Sequence, residues 1–169
     1  MTVLSFRHFV LIIFISYKAT CFGQSFTLPN EELIFSFSTQ NGKKITLSKD
    51  KAKNYIIYRL GTKDKIEFEF PDKSKSSWTK FKYSFYMRGG GTQNEGMDLN
   101  YVYFTNKDFT YVVYDTYISI GNKQSIGVKS INLKTKKTTN IKGKIKTRKG
   151  TLVDFRDNNL LEIGDELFD

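Results

Sequence analysis

Cysteine and histidine are almost missing from this chain of 169 residues. It contains one cysteine, Cys21, and one histidine, His8, and both lie within the first 23 residues. Without that segment the chain has no cysteine nucleophile, no histidine-assisted nucleophile, no disulfide and no histidine-containing metal site. Only carboxylates are left for catalysis, and we predict neither a cofactor nor a metal ion.

Long apolar runs are also missing, and the one at residues 9–17 is too short for a transmembrane helix, which needs about 20 apolar residues. We therefore predict no transmembrane span. A basic start precedes this run and small residues follow it, which is the layout of a secretory signal peptide. We predict that residues 1–23 are a signal peptide and that residues 24–169 are a single β domain in the periplasm or at the cell surface. The alternative is a lipoprotein anchored through Cys21.

Acidic residues are fewer than basic ones, 17 against 27, which gives a formal net charge of +10. Residues 1–23 contain two basic residues and no acidic residue, so removal of this predicted leader lowers the net charge to +8. Such a balance favours anionic partners. Eight basic residues lie without an acid between Lys134 and Lys149, and an acidic tail follows in residues 154–169. We expect this tail to fold back on the basic segment or to bind another protein.

Proline is scarce, but glycine and aromatic residues are not, and this composition excludes a disordered or collagen-like chain. Apolar residues alternate with polar ones from Leu33 onward, which is the period of half-buried strands. Segments 98–105 and 110–119 are apolar on both faces and belong in the middle of the fold. The pattern indicates an all-β fold, a single antiparallel β-sandwich or barrel of about nine or ten strands. The predicted strands are 33–37, 45–47, 54–60, 66–70, 78–88, 98–105, 110–119, 125–133, 139–147 and 151–156.

Carboxylate pairs are the only candidates for catalysis. Glu67 and Glu69 lie two apart on one strand, and Glu95 and Asp98 lie in a glycine-rich loop, so either pair suits the acid and base of a glycoside hydrolase. The alternatives are a solvated strand face for the first pair and turn capping for the second. The spacing of Glu95 and Asp98 does not match a known calcium loop.

The loop at residues 88–98 contains Arg88 followed by three glycines. Its backbone N–H groups and the Arg88 guanidinium suit an anion. It is either a recognition loop or a plain connection between two hairpin strands. The loop matches a nucleotide P-loop poorly, because no lysine and no helix follow.

Basic residues alternate in the predicted strand 139–147. On an extended strand they point to one face about 7 Å apart, which indicates either a binding stripe for an acidic glycan, a lipid headgroup or an acidic protein, or a charged edge that blocks sheet aggregation. Nucleic acid suits an exported chain less well. Tyrosines also offer stacking surfaces for sugars, although tyrosine is equally a core residue. The stripe consists of Lys142, Lys144, Lys146 and Arg148, and the tyrosines are Tyr101, Tyr103, Tyr111, Tyr114 and Tyr117.

The segments Tyr58-Arg59-Leu60-Gly61 and Ile66 to Pro71, with the Gly-Lys-x-Ile-x-Leu strand at 42–47 and the Asn-Glu-Gly loop at 94–96, resemble those of a group of uncharacterised small exported bacterial proteins. The resemblance covers much of residues 33–105 and implies a periplasmic or surface β domain without an assigned activity. Size, export and strand pattern are also similar to those of β-barrel lysozyme inhibitors of the bacterial envelope. The chain departs from those inhibitors in having no cysteine pair, and its basic stripe is unsuited to basic lysozymes.

The sequence thus predicts a non-enzymatic binding module for an anionic partner and leaves its oligomeric state open. Arg59 and Arg88 are the candidates for directional contacts, because an arginine fork binds carboxylate or phosphate in two-pronged fashion. The alternative for Arg59 is a pair with Glu67 or Glu69 across a hairpin. Two alternative functions stay open: an inhibitor or immunity factor acting on one protein, and a glycan hydrolase that uses Glu95 and Asp98.

Overall fold

The computed structural model describes residues 25–91 and 94–168 as a sandwich of two β-sheets. The predicted leader, with His8 and Cys21, lies outside the described residues. Short 3-10 helices cover Lys75–Lys80, Ile145–Thr147 and Val153–Arg156. The strands, in chain order, are β1 (Glu31–Ser38), β2 (Lys44–Asp50), β3 (Ile56–Thr62), β4 (Lys65–Phe70), β5 (Phe81–Arg88), β6 (Met97–Asn106), β7 (Phe109–Ile118), β8 (Lys123–Asn132), β9 (Thr138–Lys142), β10 (Lys149–Gly150) and β11 (Glu162–Ile163).

The strands form a five-stranded sheet in the order β10-β1-β2-β3-β4 and a six-stranded sheet in the order β11-β5-β6-β7-β8-β9. Neither sheet closes on itself, so the all-β prediction is confirmed as a sandwich and the barrel alternative is wrong. The strand count exceeds the predicted nine or ten because β10 and β11 have two residues each. β11 runs parallel to β5, which departs from the predicted antiparallel pairing.

Alternating apolar residues build the core between the sheets. One side chain in two on each strand points inward, so Phe35 and Phe37 of β1 meet Val102 and Phe104 of β6 in one buried cluster. Aromatic rings fill much of it, and the Phe70 and Phe104 rings stack with their centroids 4.5 Å apart. Offset and edge-to-face ring pairs of this kind contribute about 0.5–1.5 kcal/mol beyond their burial.

β6 and β7 lie in the middle of the six-stranded sheet, as their two apolar faces predict. Val102 and Val113 face the core between the sheets, whereas Tyr103 and Val112 are buried on the opposite, outer face. The six-stranded sheet therefore has a second apolar cluster that the sandwich core does not cover.

The segment predicted as one strand at 139–147 is instead divided between the two sheets. β9 ends at Lys142 in the six-stranded sheet, and β10 begins at Lys149 in the five-stranded sheet, so the residues between them cross from one sheet to the other. Gly143 permits the crossing, because a methyl group there would overlap the Phe37 ring. The alternation of lysines is compatible with a strand, but this long-range contact overrides it.

The segment predicted as a strand at 151–156 is a 3-10 helix over Val153–Arg156. Leu152 and Phe155 are both buried in the core, and residues three apart share a face of a 3-10 helix but not of a strand. Three-residue spacing of the apolar side chains therefore decides the local structure.

Each end of the described chain crosses the outer face of one sheet. On the five-stranded sheet, the carbonyl oxygen of Phe26 accepts hydrogen bonds from Thr46 and Arg59. On the six-stranded sheet, the acidic tail adds β11 beside β5 and continues to Phe168 over Tyr103. Within residues 25–91 and 94–168, no helix is long and apolar enough to cross a membrane.

Candidate functional site

The Arg59 side chain is only 1% exposed and is fully engaged within the fold. Its Nη1 and Nη2 donate to the two carboxylate oxygens of Glu31 at 2.6 and 2.7 Å, and its Nε donates to Glu69 at 2.6 Å. β3 and β4 pair Arg59 directly with Glu69, which is the cross-strand alternative that the sequence left open. Its donors thus already meet acceptors within the fold, Glu31 buried and Glu69 partly exposed, and a role of Arg59 in ligand binding stays a prediction.

Charge and hydrogen bonding lock this arginine network. Burial opposes the negative charge on Glu31, but hydrogen bonds from Arg59 and from the Leu28 backbone N–H outweigh it, so the pKa of Glu31 lies below its ordinary value. Burial likewise opposes the charge on Glu69, and bonds from Lys73 and Arg59 lower its pKa. The network therefore joins the N-terminal segment to the β3–β4 hairpin as a structural unit.

The glycine-rich loop is the connection of the β5–β6 hairpin. Arg88 Nε donates to the carbonyl oxygen of Glu95 at 2.8 Å, so the arginine closes the loop on itself. Ser119 holds the far side, since its hydroxyl accepts from the Gly96 N–H at 2.8 Å and its own N–H donates to the Gly96 carbonyl. A role of Arg88 and Glu95 in recognition stays a prediction.

Asp98 and Arg148 belong to polar clusters on the inner face of the six-stranded sheet, and each already has a partner. Asp98 accepts from Arg156 Nη2, and Arg148 Nη1 donates to Asp115 at 3.0 and 3.3 Å. Burial raises the pKa of Asp115 despite the lowering effect of Arg148. These pairs attach the segment 145–156 to the sheet.

The four basic residues predicted as one stripe do not lie on one strand. Lys142 is exposed at the end of β9, and Lys144 precedes the 3-10 helix that contains Lys146. Arg148 reaches inward to Asp115. A straight row at 7 Å spacing is therefore wrong, and Lys142 alone of the four lines a groove together with tyrosines.

Tyrosines on the outer face of the six-stranded sheet form the site that sequence reasoning missed. Strand register places Tyr101 opposite Tyr114 and Tyr103 opposite Val112, and paired residues share a face. We call this surface the tyrosine face; it consists of Leu99, Tyr101, Tyr103, Val112 and Tyr114.

Gly127 sets the width of the tyrosine face. It is the β8 partner of Tyr114, and a methyl group at Gly127 would overlap the Tyr114 hydroxyl. The tyrosine therefore lies across the glycine and donates to Asn140 Oδ1 on β9 at 3.0 Å. One ring thus spans three strands and extends the face toward the edge of the sheet.

The chain's own acidic tail occupies part of this face. The Phe168 ring lies 4.9 Å from the Tyr103 ring and 5.6 Å from the Tyr101 ring, centroid to centroid. Tyr103 donates its hydroxyl proton to Glu166, and the Lys129 ammonium donates to the Phe168 carbonyl. Burial and this carboxylate raise the pKa of Tyr103, and the Tyr103 hydrogen bond lowers that of Glu166.

Lysines border the tyrosine face, and grooves flank Phe168. One groove, of about 470 Å³, contains Lys82 and Tyr103, and another, of about 220 Å³, contains Lys129 and Lys142. The Lys129 ammonium also lies 5.8 Å from the centre of the Tyr114 ring. An apolar aromatic floor with cations at its border suits a ligand that combines negative charge with an apolar or stacking surface.

A sequence signal for this face existed but was not specific. The sequence marks Tyr101, Tyr103 and Tyr114 as candidate stacking residues. It marks Tyr111 in the same way, but the Tyr111 ring packs inward against Phe104. Only the register across β6, β7 and β8 distinguishes the two faces. The sequence predicts that the acidic tail folds back on the basic segment or binds another protein, whereas the structure places it on the tyrosine face.

Comparison of the chain with protein-family models, with curated proteins and with solved structures gives no match. The resemblance to small exported bacterial proteins therefore stays a prediction. Within residues 25–91 and 94–168, no group of three or more potential ligand side chains is placed to hold a metal ion.

Proposed function

We propose that this protein is an exported, non-enzymatic binding module that holds an anionic partner on its tyrosine face. One observation carries the proposal: the face already holds an acidic segment with an aromatic residue, since Glu166 and Phe168 of the tail contact Tyr103. A surface that accepts such a segment from its own chain has the chemistry to accept one from a partner.

Charge supports the same proposal. The formal net charge, +10 for the full chain and +8 without residues 1–23, draws anionic molecules to the protein. Lys82, Lys129 and Lys142 bring cations to the border of the aromatic floor. Long-range electrostatic attraction speeds the association of the partner and orients it, whereas contact with the apolar floor contributes affinity that salt does not screen. The partner classes are an acidic glycan, a lipid headgroup and an acidic protein.

The proposed place of action is the bacterial periplasm or cell surface, because residues 1–23 have the layout of a signal peptide. The glycan-hydrolase alternative draws no support from the geometry, since Arg156 already holds the Asp98 carboxylate. The inhibitor or immunity alternative uses the same face and corresponds to the acidic-protein class of partner.

A panel of three anionic probes tests the proposal: polygalacturonate, phosphatidylglycerol vesicles and poly-L-glutamate. The test variant replaces Lys82, Lys129 and Lys142 by glutamine. The matched control replaces Lys63, Lys65 and Lys75, which are exposed residues at or beyond the five-stranded sheet, and so removes the same charge elsewhere. We expect wild type and control to bind at least one probe and the test variant to bind it at least tenfold more weakly.

Two results would contradict the proposal. Equal weakening in the test variant and the control would mean that net charge alone attracts the probe. Absence of binding to all three probes at low salt, in wild-type protein and in a variant whose tail contact is removed by Phe168→Ala, would mean that the face binds no anion.

A further inference from the structure

We infer that the partner of the tyrosine face is an extended acidic segment of another protein, for which residues 162–168 are a built-in substitute. The inference rests on the proposed function and names its partner. The tail shows the pattern that the surface accepts: an acid at Glu162, a small residue at Gly164, an acid at Glu166 and an aromatic ring at Phe168. These positions alternate, as they do in an extended chain.

Each position of the pattern has a separate contact. Glu162 pairs with Lys82 at 2.8 Å beside the sheet edge. At Gly164 the chain turns from the edge onto the face, and any side chain there would overlap the Tyr103 hydroxyl. Glu166 then accepts from Tyr103, and Phe168 covers the aromatic floor.

The edge of β5 explains why a polypeptide fits better than a glycan or a lipid. The Gly164 N–H donates to the Tyr83 carbonyl at 2.8 Å, so the tail continues the backbone ladder of the sheet. In antiparallel pairing with β6, alternate residues of β5 direct their backbone N–H and C=O groups to the edge on which the Tyr83 carbonyl lies. The backbone groups of Phe85 and Met87 therefore face the same edge, beyond the end of the two-residue strand β11. A partner strand parallel to β5 extends that ladder.

Unfilled volume and exposed apolar groups favour a segment longer than the tail. Grooves of about 470 and 220 Å³ remain on the two sides of Phe168. Met87, which lies on β5 beyond the register of β11, is 64% exposed. The built-in segment therefore covers only part of the surface.

Release of the tail requires no opening of the core. Leu161, directly before β11, is 5% exposed and packs in the core between the two sheets. Residues 162–168 can therefore detach while the chain stays anchored at Leu161. The same anchor disfavours exchange of the tail between two copies, because no free linker lies between Leu161 and β11. Competition by a separate partner segment is the arrangement that this geometry favours.

The probe is the fluorescently labelled peptide acetyl-Glu-Ile-Gly-Asp-Glu-Leu-Phe-amide, which has the sequence of residues 162–168. The control is a scrambled peptide with the same composition and charge, acetyl-Leu-Glu-Phe-Asp-Gly-Glu-Ile-amide. Anisotropy titrations use the full-length protein as wild type and as Phe168→Ala, whose own tail has lost its aromatic contact. A second tail variant, Glu166→Lys, removes the acid instead of the ring.

We expect the probe to bind both tail variants at least tenfold more tightly than wild type, because the internal competitor is weakened. We expect the scrambled peptide to bind the variants at least tenfold more weakly than the probe does. Lys129→Gln in the Phe168→Ala background should lower probe affinity severalfold. Urea denaturation confirms that each variant is folded before titration.

Equal affinity for the two peptides, or equal affinity of wild type and both tail variants for the probe, would overturn the inference. Binding of polygalacturonate or phosphatidylglycerol vesicles without binding of the peptide would overturn the inference and leave the proposed function standing. Absence of binding to the peptide and to every anionic probe would overturn both.

Discussion

At the scale of single residues, Arg59 shows how a side chain suited to binding can be used for folding. A buried guanidinium is costly unless every donor finds an acceptor, and Glu31, Glu69 and the Phe26 carbonyl supply those acceptors. The sequence predicted the Glu69 contact as an alternative, because the two residues face each other across a hairpin. Glu31 is 28 positions away along the chain, and no local pattern reveals that contact.

Removal of the Arg59 guanidinium should strongly destabilise the fold. We expect Arg59→Ala to lower the free energy of unfolding by about 3–5 kcal/mol at pH 7, because Glu31 is left as a buried charge without its partner. Urea denaturation measures the loss, and Arg59→Met with Glu31→Gln, which removes both charges, should recover part of it. A loss below about 1 kcal/mol would contradict the structural role of the network.

Glu31 and Asp115 should respond to pH in opposite directions. The pKa of Glu31 is below its ordinary value of 4.5, so its stabilising effect is present above that pH and is lost as the pH falls through the folded-state value. The pKa of Asp115 is above its ordinary value of 3.8, so its ionisation costs stability as the pH rises through the folded-state value.

Urea denaturation of Glu31→Gln and Asp115→Asn between pH 3 and pH 7 tests these directions. Relative to wild type, we expect Glu31→Gln to become more destabilised as the pH rises and Asp115→Asn to become less destabilised or more stable. The two slopes must differ in sign, and slopes of the same sign would show that one of the assigned environments is wrong.

At the scale of elements, β8 has a glycine at position 127, and the Tyr114 side chain lies across the strand there. We expect Gly127→Ala to cost about 1–3 kcal/mol of stability, because the added methyl group overlaps the Tyr114 hydroxyl and displaces it from Asn140. Gly89→Ala is the matched control, since nothing lies within 4 Å of the added methyl group there. Equal stability of the two variants would contradict the packing of Tyr114 over Gly127.

The basic segment after β9 shows where element prediction fails. Alternating lysines indicate a strand, but the chain crosses to the other sheet at Gly143, where the close approach of Phe37 leaves no room for a side chain. Of the lysines in this segment that were predicted as a stripe, Lys142 borders the tyrosine face, whereas Lys144 and Lys146 lie at the crossing. An edge-strand role for β9 itself agrees with its position in the six-stranded sheet.

This separation predicts different effects on binding for two pairs of lysines. Glutamine at Lys129 and Lys142 should weaken binding of the best anionic probe about five- to thirtyfold, if each contact contributes about 0.5–1 kcal/mol. Glutamine at Lys144 and Lys146 removes the same charge and should weaken binding less than threefold. Isothermal titration at fixed ionic strength compares the pairs, and the reverse order would assign binding to the crossing segment.

At the scale of the whole molecule, the two-residue period of apolar side chains predicted most of the strands. It did not decide between sandwich and barrel, because closure of a sheet depends on pairing between strands that are distant in sequence. It also did not show that the acidic tail and the tyrosines meet, since Phe168 is more than 60 positions from Tyr103. Local pattern therefore predicted the elements, and long-range contacts determined the site.

The two ends of the described chain are held very differently. The N-terminal segment is tied to the five-stranded sheet by the buried Arg59 network. The tail has two strand residues, and its pair between Glu162 and Lys82 is solvent-exposed, which makes that pair weak. This difference agrees with a structural role for the first segment and a replaceable role for the second.

The most direct test of the account is an NMR titration of isotope-labelled protein with the tightest-binding probe of the anionic panel, followed through backbone amide shifts. We predict that the largest shifts cluster on one row of paired residues across the six-stranded sheet, at Lys82, Tyr103, Val112 and Lys129, with further shifts in residues 162–168 as the tail is displaced. Shifts centred on residues 144–149 or on the five-stranded sheet, with the tail unchanged, would contradict the claim that the tyrosine face is the binding surface.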